Sequence, residues 1–149
     1  VAGEVLDVMD GRGVFGIELF DLGESGGDRI LLNEIAPRPH NSGHWTIEGC
    51  HTSQFEQHVR AVLGDPLGTT ELRDSTVSAN ILGDVDERQS ATLHGEEPIL
   101  STDRAHIHWY GKREVYRLRK MGHVTMTGED GDALLADICD LRDGLTFRD

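Results

Sequence analysis

Lysine is almost absent from this chain. Only two of its 14 basic residues are lysines, Lys112 and Lys120, and the other twelve are arginines. Set against 27 acidic residues, they leave a net charge of −13 at pH 7. Because no basic stripe is available to neutralise phosphates, we expect neither nucleic acid nor a membrane as a partner. The acidity fits a solvated surface adapted to high salt, or alternatively an acidic interaction face.

Long hydrophobic runs and paired cysteines are also missing. No apolar stretch approaches the roughly 18 residues of a membrane-spanning helix, and no signal peptide is visible. Cys50 and Cys139 lie far apart without a CxxC pattern, which argues against a zinc knuckle and favours a cytoplasmic protein. There is no Walker A, GxGxxG or GxSxG motif, so nucleophilic catalysis has no support. Because the chain begins at Val1, we expect a piece of a longer protein.

Hydrophobic periodicity predicts an α+β fold. Apolar residues recur at helical spacing in segments 2–10, 52–63 and 132–141. Strands are predicted at 13–20, 29–35, 75–82, 105–110 and 122–126. The pattern is weakest at 84–102. A loop-like stretch at 66–74 indicates a boundary, so we expect domains at residues 1–70 and 71–149.

The first two predicted strands each carry a glutamate. If their turn is centred near Gly26, Glu18 lies opposite Glu34 on one face of an antiparallel pair. Facing carboxylates repel, so a cation is expected between them, and Mg²⁺ bridging nucleotide phosphates is a natural choice. The alternative is two solvated glutamates. Asn33 is expected on the other face and could join the metal only if the strand already ends there.

A polar loop follows the second strand and contains Arg38, His40, Asn41, Ser42 and His44. A guanidinium beside neutral donors can bind a small planar oxyanion such as bicarbonate, carboxylate or phosphate. Next to a metal-bound triphosphate, such a pocket could hold an acceptor of the γ-phosphoryl group. The alternative is a loop that satisfies its own backbone. A zinc site at the two histidines is disfavoured, because the proline and glycine in this loop argue against a helix.

Five basic residues cluster near the end of the chain: Lys112, Arg113, Arg117, Arg119 and Lys120. In a chain otherwise free of lysine, this cluster would suit a substrate that carries a monophosphate. The alternative is a solvated basic turn between strands.

Several blocks of sequence carry a family resemblance: GIELF at 16–20, NEIAPRPHNSGHWTIEGC at 33–50, TSQFEQHVRAVLG at 52–64, HWYGK at 108–112 and RKMGHVT at 119–125. On these blocks the chain resembles the 5-(carboxyamino)imidazole ribonucleotide synthase family of ATP-grasp enzymes in purine biosynthesis. The formate-dependent glycinamide ribonucleotide transformylase has a similar Glu-x-x-Pro-Arg-Pro-His stretch but differs after the histidine. Another ATP-grasp ligase of that kind, or a non-catalytic ATP-grasp-derived binding module, stays an alternative.

The resemblance implies a fold and a reaction. The fold is the C-terminal half of an ATP-grasp domain, an antiparallel sheet with helices, followed by a small mixed strand and helix C-terminal domain. The reaction uses ATP and Mg²⁺ to convert bicarbonate into carboxyphosphate and to carboxylate aminoimidazole ribonucleotide. The implied partners are the missing N-terminal part of the same protein and, at full length, a second copy in a homodimer. The chain alone would be inactive.

The resemblance also implies three groups of site residues. The Mg²⁺-ATP group is Glu18, Glu34 and the adjacent Asn33. The group that holds bicarbonate and the reacting intermediate is Arg38, His40 and Asn41, extended by Ser42 and His44. The group for the ribonucleotide is Lys112, Arg119 and Lys120, together with Asn41.

Overall fold

The computed structural model describes residues 1–23 and 29–147. Its internal contacts divide the chain into two compact units, Val1–Glu71 and Leu72–Asp149. Among the described residues, no helix has the length and apolar character needed to cross a lipid bilayer. The predicted turn centred near Gly26 lies outside the described residues.

The first unit combines a hairpin with helices. Its elements in chain order are α1 (Ala2–Met9), β1 (Gly16–Asp21), β2 (Ile30–Ala36), a 3-10 turn (Asn41–Gly43), α2 (Thr46–Gly49) and α3 (Gln54–Leu63). The Ser53 hydroxyl caps α3 by accepting from the Glu56 backbone N–H at 3.2 Å. Gly64, with a φ of 78°, ends α3 in the left-handed conformation that glycine adopts without strain.

The antiparallel pairing of β1 with β2 places Glu18 opposite Glu34, as the sequence predicted. The register then shifts, because Leu19 pairs with Leu32 and leaves Asn33 as an extra residue on β2. This β-bulge bends the strand and redirects the side chain. The Asn33 amide therefore donates to Glu18 Oε2 at 3.2 Å. The expectation that Asn33 points to the other face while the strand continues was wrong, since strict alternation does not hold through a bulge.

The second unit is built on a three-stranded antiparallel sheet. Its strands are ordered β3 (Ser75–Leu82), β7 (Lys120–Gly128) and β5 (Ala105–Trp109), and α5 (Gly131–Asp143) packs against β3 and β7. The Asp130 carboxylate caps α5 by accepting from the backbone N–H groups of its first turn at 3.0 and 3.2 Å. Three further elements are too short for periodicity to reveal: β4 (Gln89–Ser90), α4 (Glu97–Leu100) and β6 (Glu114–Val115).

The main hydrophobic core of the described residues lies in the second unit, around β7. It includes the fully buried side chains of Ile81, Ile99, Met121, Val124 and Ile138. In the described part of the first unit, the buried hydrophobic residues are only Ala36 and Cys50. Large apolar side chains of its hairpin and helices are exposed instead, including Leu6, Val8, Phe20, Leu31, Leu32, Val59 and Val62.

Candidate active site

An imidazole lies between the two facing carboxylates. His40 Nε2 is 3.5 Å from Glu18 Oε1 and 3.6 Å from Glu34 Oε1. The carboxylates face solvent, whereas the His40 side chain is only 13% exposed. The ligand atoms of these three residues all lie within 4.8 Å of one another. The sequence predicted a cation between the glutamates, and the structure places a histidine of the predicted oxyanion loop there.

The orientation of the His40 ring follows from its hydrogen bonds. The Ser42 backbone N–H donates to His40 Nδ1 at 3.4 Å, and the Ser42 hydroxyl lies 2.9 Å from the same nitrogen. Because a backbone N–H can only donate, Nδ1 is the acceptor and the neutral ring carries its proton on Nε2. That proton faces the carboxylates. Ser42 therefore orients the His40 ring, and both are predicted site residues.

Gly16 leaves the space that the His40 ring needs. A Cβ atom at Gly16 would lie 2.7 Å from His40 Cβ and 2.8 Å from its Cγ, closer than non-bonded carbons approach. Glycine at the start of β1 therefore allows the loop to lie directly against the hairpin. This role could not be predicted from the sequence, because it depends on a contact between segments that are 24 residues apart.

Helix α3 also holds the loop in place, through the side chain of Gln54. The Gln54 amide accepts from the His40 backbone N–H at 2.9 Å and donates to the His40 carbonyl at 2.8 Å. It also lies 2.8 Å from His44 Nδ1. Gln54 is 9% exposed. Sequence reasoning missed this residue, and the only available signal was a glutamine at the first position of a helix.

The other loop residues are less enclosed. The Arg38 side chain is exposed and donates from Nη1 to the carbonyl of Pro39 at 3.0 Å. The Asn41 carbonyl accepts from the His44 backbone N–H at 3.2 Å and so closes the 3-10 turn. An exposed guanidinium is available to an incoming anion without first breaking a buried ion pair.

In the second unit, Lys112 Nζ donates to the backbone carbonyl of Lys120 and lies 5.6 Å from the centre of the Tyr110 ring. Burial, followed by the nearby charges of Arg119 and Lys120, lowers the pKa of Lys112. Arg119 donates from Nη1 to the Glu114 carbonyl at 2.7 Å. The fold therefore brings the three predicted basic residues of this group into one neighbourhood.

Comparison with protein families agrees with this arrangement. Residues 1–55 match the ATP-grasp domain, and residues 76–137 match the phosphoribosylaminoimidazole carboxylase C-terminal domain. The hairpin, the polar loop and the first turn of α3 all fall within the ATP-grasp match, and the basic group falls within the C-terminal domain match.

Individual relatives extend the comparison. The chain is 45% identical to the N5-carboxyaminoimidazole ribonucleotide synthase of Vibrio parahaemolyticus, over 95% of this chain and 34% of that protein. It superimposes on the crystal structure of the N5-carboxyaminoimidazole ribonucleotide synthetase from Thermotoga maritima with a TM-score of 0.85 and 44% identity. That match covers 97% of this chain and 40% of the Thermotoga chain.

A third relative has been solved with ligands. The Aspergillus clavatus N5-carboxyaminoimidazole synthase, in complex with ADP and 5-aminoimidazole ribonucleotide, matches with a TM-score of 0.76 and 37% identity. The match covers 95% of this chain and 38% of the Aspergillus chain. The chain spans about a third of the length of the curated relatives that it matches.

Proposed function

We propose that this chain contributes the metal-binding and oxyanion-binding parts of an ATP-grasp ligase. The complete protein would use ATP and bicarbonate to carboxylate aminoimidazole ribonucleotide in purine biosynthesis, giving 5-(carboxyamino)imidazole ribonucleotide. The observation that carries the proposal is the cluster of Glu18, Glu34 and His40, because it joins the hairpin carboxylates to the polar loop. The names of the relatives support the same reaction.

The carboxylate pair fits Mg²⁺. Glu18 and Glu34 offer oxygen ligands from adjacent strands, and the Asn33 amide lies beside Glu18. Mg²⁺ prefers oxygen ligands and keeps sites for phosphate oxygens. When bound, it neutralises the charge that develops on the phosphates during transfer. The His40 Nε2–H faces the same carboxylates, so a bound metal ion and His40 would share these two residues as partners.

The polar loop would bind the small oxyanion. In the first step a bicarbonate oxygen attacks the γ-phosphorus of ATP, and ADP leaves, which yields carboxyphosphate. The amine of the ribonucleotide then bonds to the carboxyl carbon, either directly or through released CO₂, while phosphate leaves and the amine loses a proton. Arg38 supplies positive charge, and Asn41 and His44 supply donors. Ser42 orients His40, whose Nε2–H links the loop to the carboxylates. Such a reaction depends on position and electrostatics and needs no protein nucleophile.

We assign the phosphate of the ribonucleotide to Lys112, Arg119 and Lys120. Their positive charges lie together in the second unit, and the pKa of Lys112 is lowered first by burial and then by the like charges of Arg119 and Lys120. A phosphate dianion would relieve that repulsion. The Aspergillus relative bound to 5-aminoimidazole ribonucleotide supports a ligand of this class.

The exposed apolar side chains of the first unit would be covered by the rest of the ATP-grasp domain. A groove of about 330 Å³ beside α1 is lined by Val1, Glu4, Val5, Val8, Met9, Leu32 and Ile35. Exposed apolar side chains that lie together are typical of an interface, and the relatives carry about twice as much additional chain as is matched here. The complete protein is proposed to form a homodimer. The thiols of Cys50 and Cys139 and the acidic composition suit a cytoplasm rich in salt.

One experiment tests the proposed reaction. The chain is joined to the residues that precede the matched region in the Thermotoga relative, and ADP release is followed at low and high salt, with and without bicarbonate and aminoimidazole ribonucleotide. We expect release to require both ligands. The 149-residue chain alone is the control and should not turn over ATP. Release that ignores both ligands would contradict the proposal, and release driven by formate and glycinamide ribonucleotide would indicate the transformylase reaction.

A further inference from the structure

Helix α3 carries two glutamines that each hold the backbone of a loop. Gln54 accepts from the His40 N–H at 2.9 Å and donates to the His40 carbonyl at 2.8 Å. Gln57 does the same at Gly68, where it accepts from the N–H at 3.0 Å and donates to the carbonyl at 2.7 Å. The difference lies in one additional contact, because only Gln54 also reaches an imidazole, that of His44, at 2.8 Å.

The orientation of the Gln54 amide is fixed by its backbone partners. The His40 N–H can only donate, so the amide oxygen must face it, and the amide nitrogen must face the His40 carbonyl and His44 Nδ1. An amide nitrogen has two hydrogens, and it meets two acceptors here. His44 Nδ1 therefore accepts, and the neutral His44 ring carries its proton on Nε2.

Neighbouring contacts keep this arrangement in place. The Phe55 ring stacks on His44 with centres 5.5 Å apart and planes 19° apart. The Thr46 hydroxyl donates to the Gly43 carbonyl at 2.6 Å and accepts from the Gln54 backbone N–H at 2.9 Å. A Cβ at Gly43 would lie 2.6 Å from Gln54 Oε1, so glycine is required for the close approach.

We propose that Gln54 is a positioning residue of the polar loop, which fixes the backbone at His40 and holds His44 as an Nε2–H hydrogen-bond donor. This role rests on the proposed carboxylation and deepens it. A neutral imidazole that donates from Nε2 can bind bicarbonate or carboxyphosphate oxygen, whereas its Nδ1 is occupied and cannot act as a base. Gln54 thus determines which ring nitrogen of His44 carries the proton and holds the loop backbone before the substrate arrives.

The test compares Gln54→Glu with the matched variant Gln57→Glu. A carboxylate at position 54 can still accept from the His40 N–H but cannot donate to His44, so His44 must place a proton on Nδ1. We follow the imidazole nitrogens by NMR in the 149-residue chain labelled with ¹⁵N-histidine, and His44 is assigned by the signals lost in His44→Gln. We expect Nε2–H in the unmodified chain and in Gln57→Glu, and a protonated Nδ1 in Gln54→Glu.

Two results would overturn the proposal: an Nδ1–H tautomer of His44 in the unmodified chain, or an unchanged pattern in Gln54→Glu. The first result is measured on the unmodified chain and so does not depend on whether a variant folds. In the joined enzyme, Gln54→Glu should lower kcat by about 10- to 100-fold with little change in the KM for ATP, as for other groups that orient a binding residue. Gln57→Glu should stay near the parent kcat, and an equal loss in both variants would contradict a specific role. The NMR measurement of the tautomer does not require turnover. Failure of the proposed reaction, which is measured by ADP release, can therefore be distinguished from failure of the proposed role of Gln54.

Discussion

Glu18 lies directly opposite Glu34 across the β1 and β2 pair, and the two carboxylates face one imidazole N–H. Like charges directly opposite on a sheet destabilise it. The Nε2–H of His40, at 3.5 and 3.6 Å, offsets part of that repulsion and ties the loop to the hairpin. The metal site proposed above rests on this same relationship.

The first prediction concerns the metal. Glu18→Gln removes one negative oxygen ligand while keeping the size of the side chain and an acceptor for Asn33. In the joined enzyme we expect ADP release to fall by about 10²-fold or more, because charge stabilisation at the transferring phosphoryl group is lost. Raising Mg²⁺ should restore part of the rate. Glu87→Gln is the control, since Glu87 is an exposed glutamate of the second unit. Equal rates in the two variants would rule out Glu18 as a metal ligand.

The second prediction concerns the space beside His40. Gly16→Ala puts a Cβ 2.7 Å from the His40 Cβ, so the loop must move away from the hairpin. We expect a loss of about 1–3 kcal/mol in the free energy of unfolding, as for other overpacked positions. Urea unfolding provides the measurement. Gly3→Ala, with nothing within 4 Å of the added atom, should instead stabilise α1 by up to about 1 kcal/mol. Equal stability of Gly16→Ala and the parent would show that the loop does not lie against Gly16.

The third prediction uses the lowered pKa of Lys112. Burial and the charges of Arg119 and Lys120 disfavour its protonated form, so Lys112 loses its charge at a lower pH than the usual lysine value of about 10.4. Affinity for a phosphate ligand should therefore fall as the pH rises toward that value. Lys112→Arg should reduce this decline to the part that Lys120 contributes, because arginine stays charged throughout. The measurement is the Kd for aminoimidazole ribonucleotide as a function of pH, determined by calorimetry in the joined enzyme with and without Lys112→Arg. Parallel declines in both proteins would contradict a role for Lys112.

The fourth prediction concerns the core of the second unit. Ile138 of α5 is 1% exposed, whereas Leu135 of the same helix is 55% exposed. Ile138→Ala should cost about 2–5 kcal/mol in the free energy of unfolding, because it leaves a cavity against the sheet. Leu135→Ala should change it by no more than about 0.5 kcal/mol. Thermal or urea unfolding of both variants gives the comparison, and similar losses would mean that α5 presents a different face to the sheet.

Sequence periodicity was sufficient to predict a helix or strand where one face of the element is buried and the element is long enough. It predicted β3 at its observed bounds, Ser75–Leu82, and it predicted the helices that became α1, α3 and α5 to within a few residues. The pairing of Glu18 with Glu34 also followed from strand positions alone. Burial imposes a repeat of two or 3.6 residues on apolar side chains, and that repeat can be read without coordinates. The short elements β4, β6 and α4 contain too few residues to show one.

The amino-acid sequence by itself determined the chemistry available to this protein: two carboxylates, a guanidinium, paired imidazoles and two lysines at positions set by local elements. Only the tertiary structure decided how these groups meet. It introduced the bulge that turns Asn33 toward Glu18, placed the His40 ring against Gly16, and brought Gln54 to both His40 and His44. Such contacts arise from packing between different elements. They leave no repeating pattern in the sequence, unlike the hydrophobic repeat within a single helix or strand.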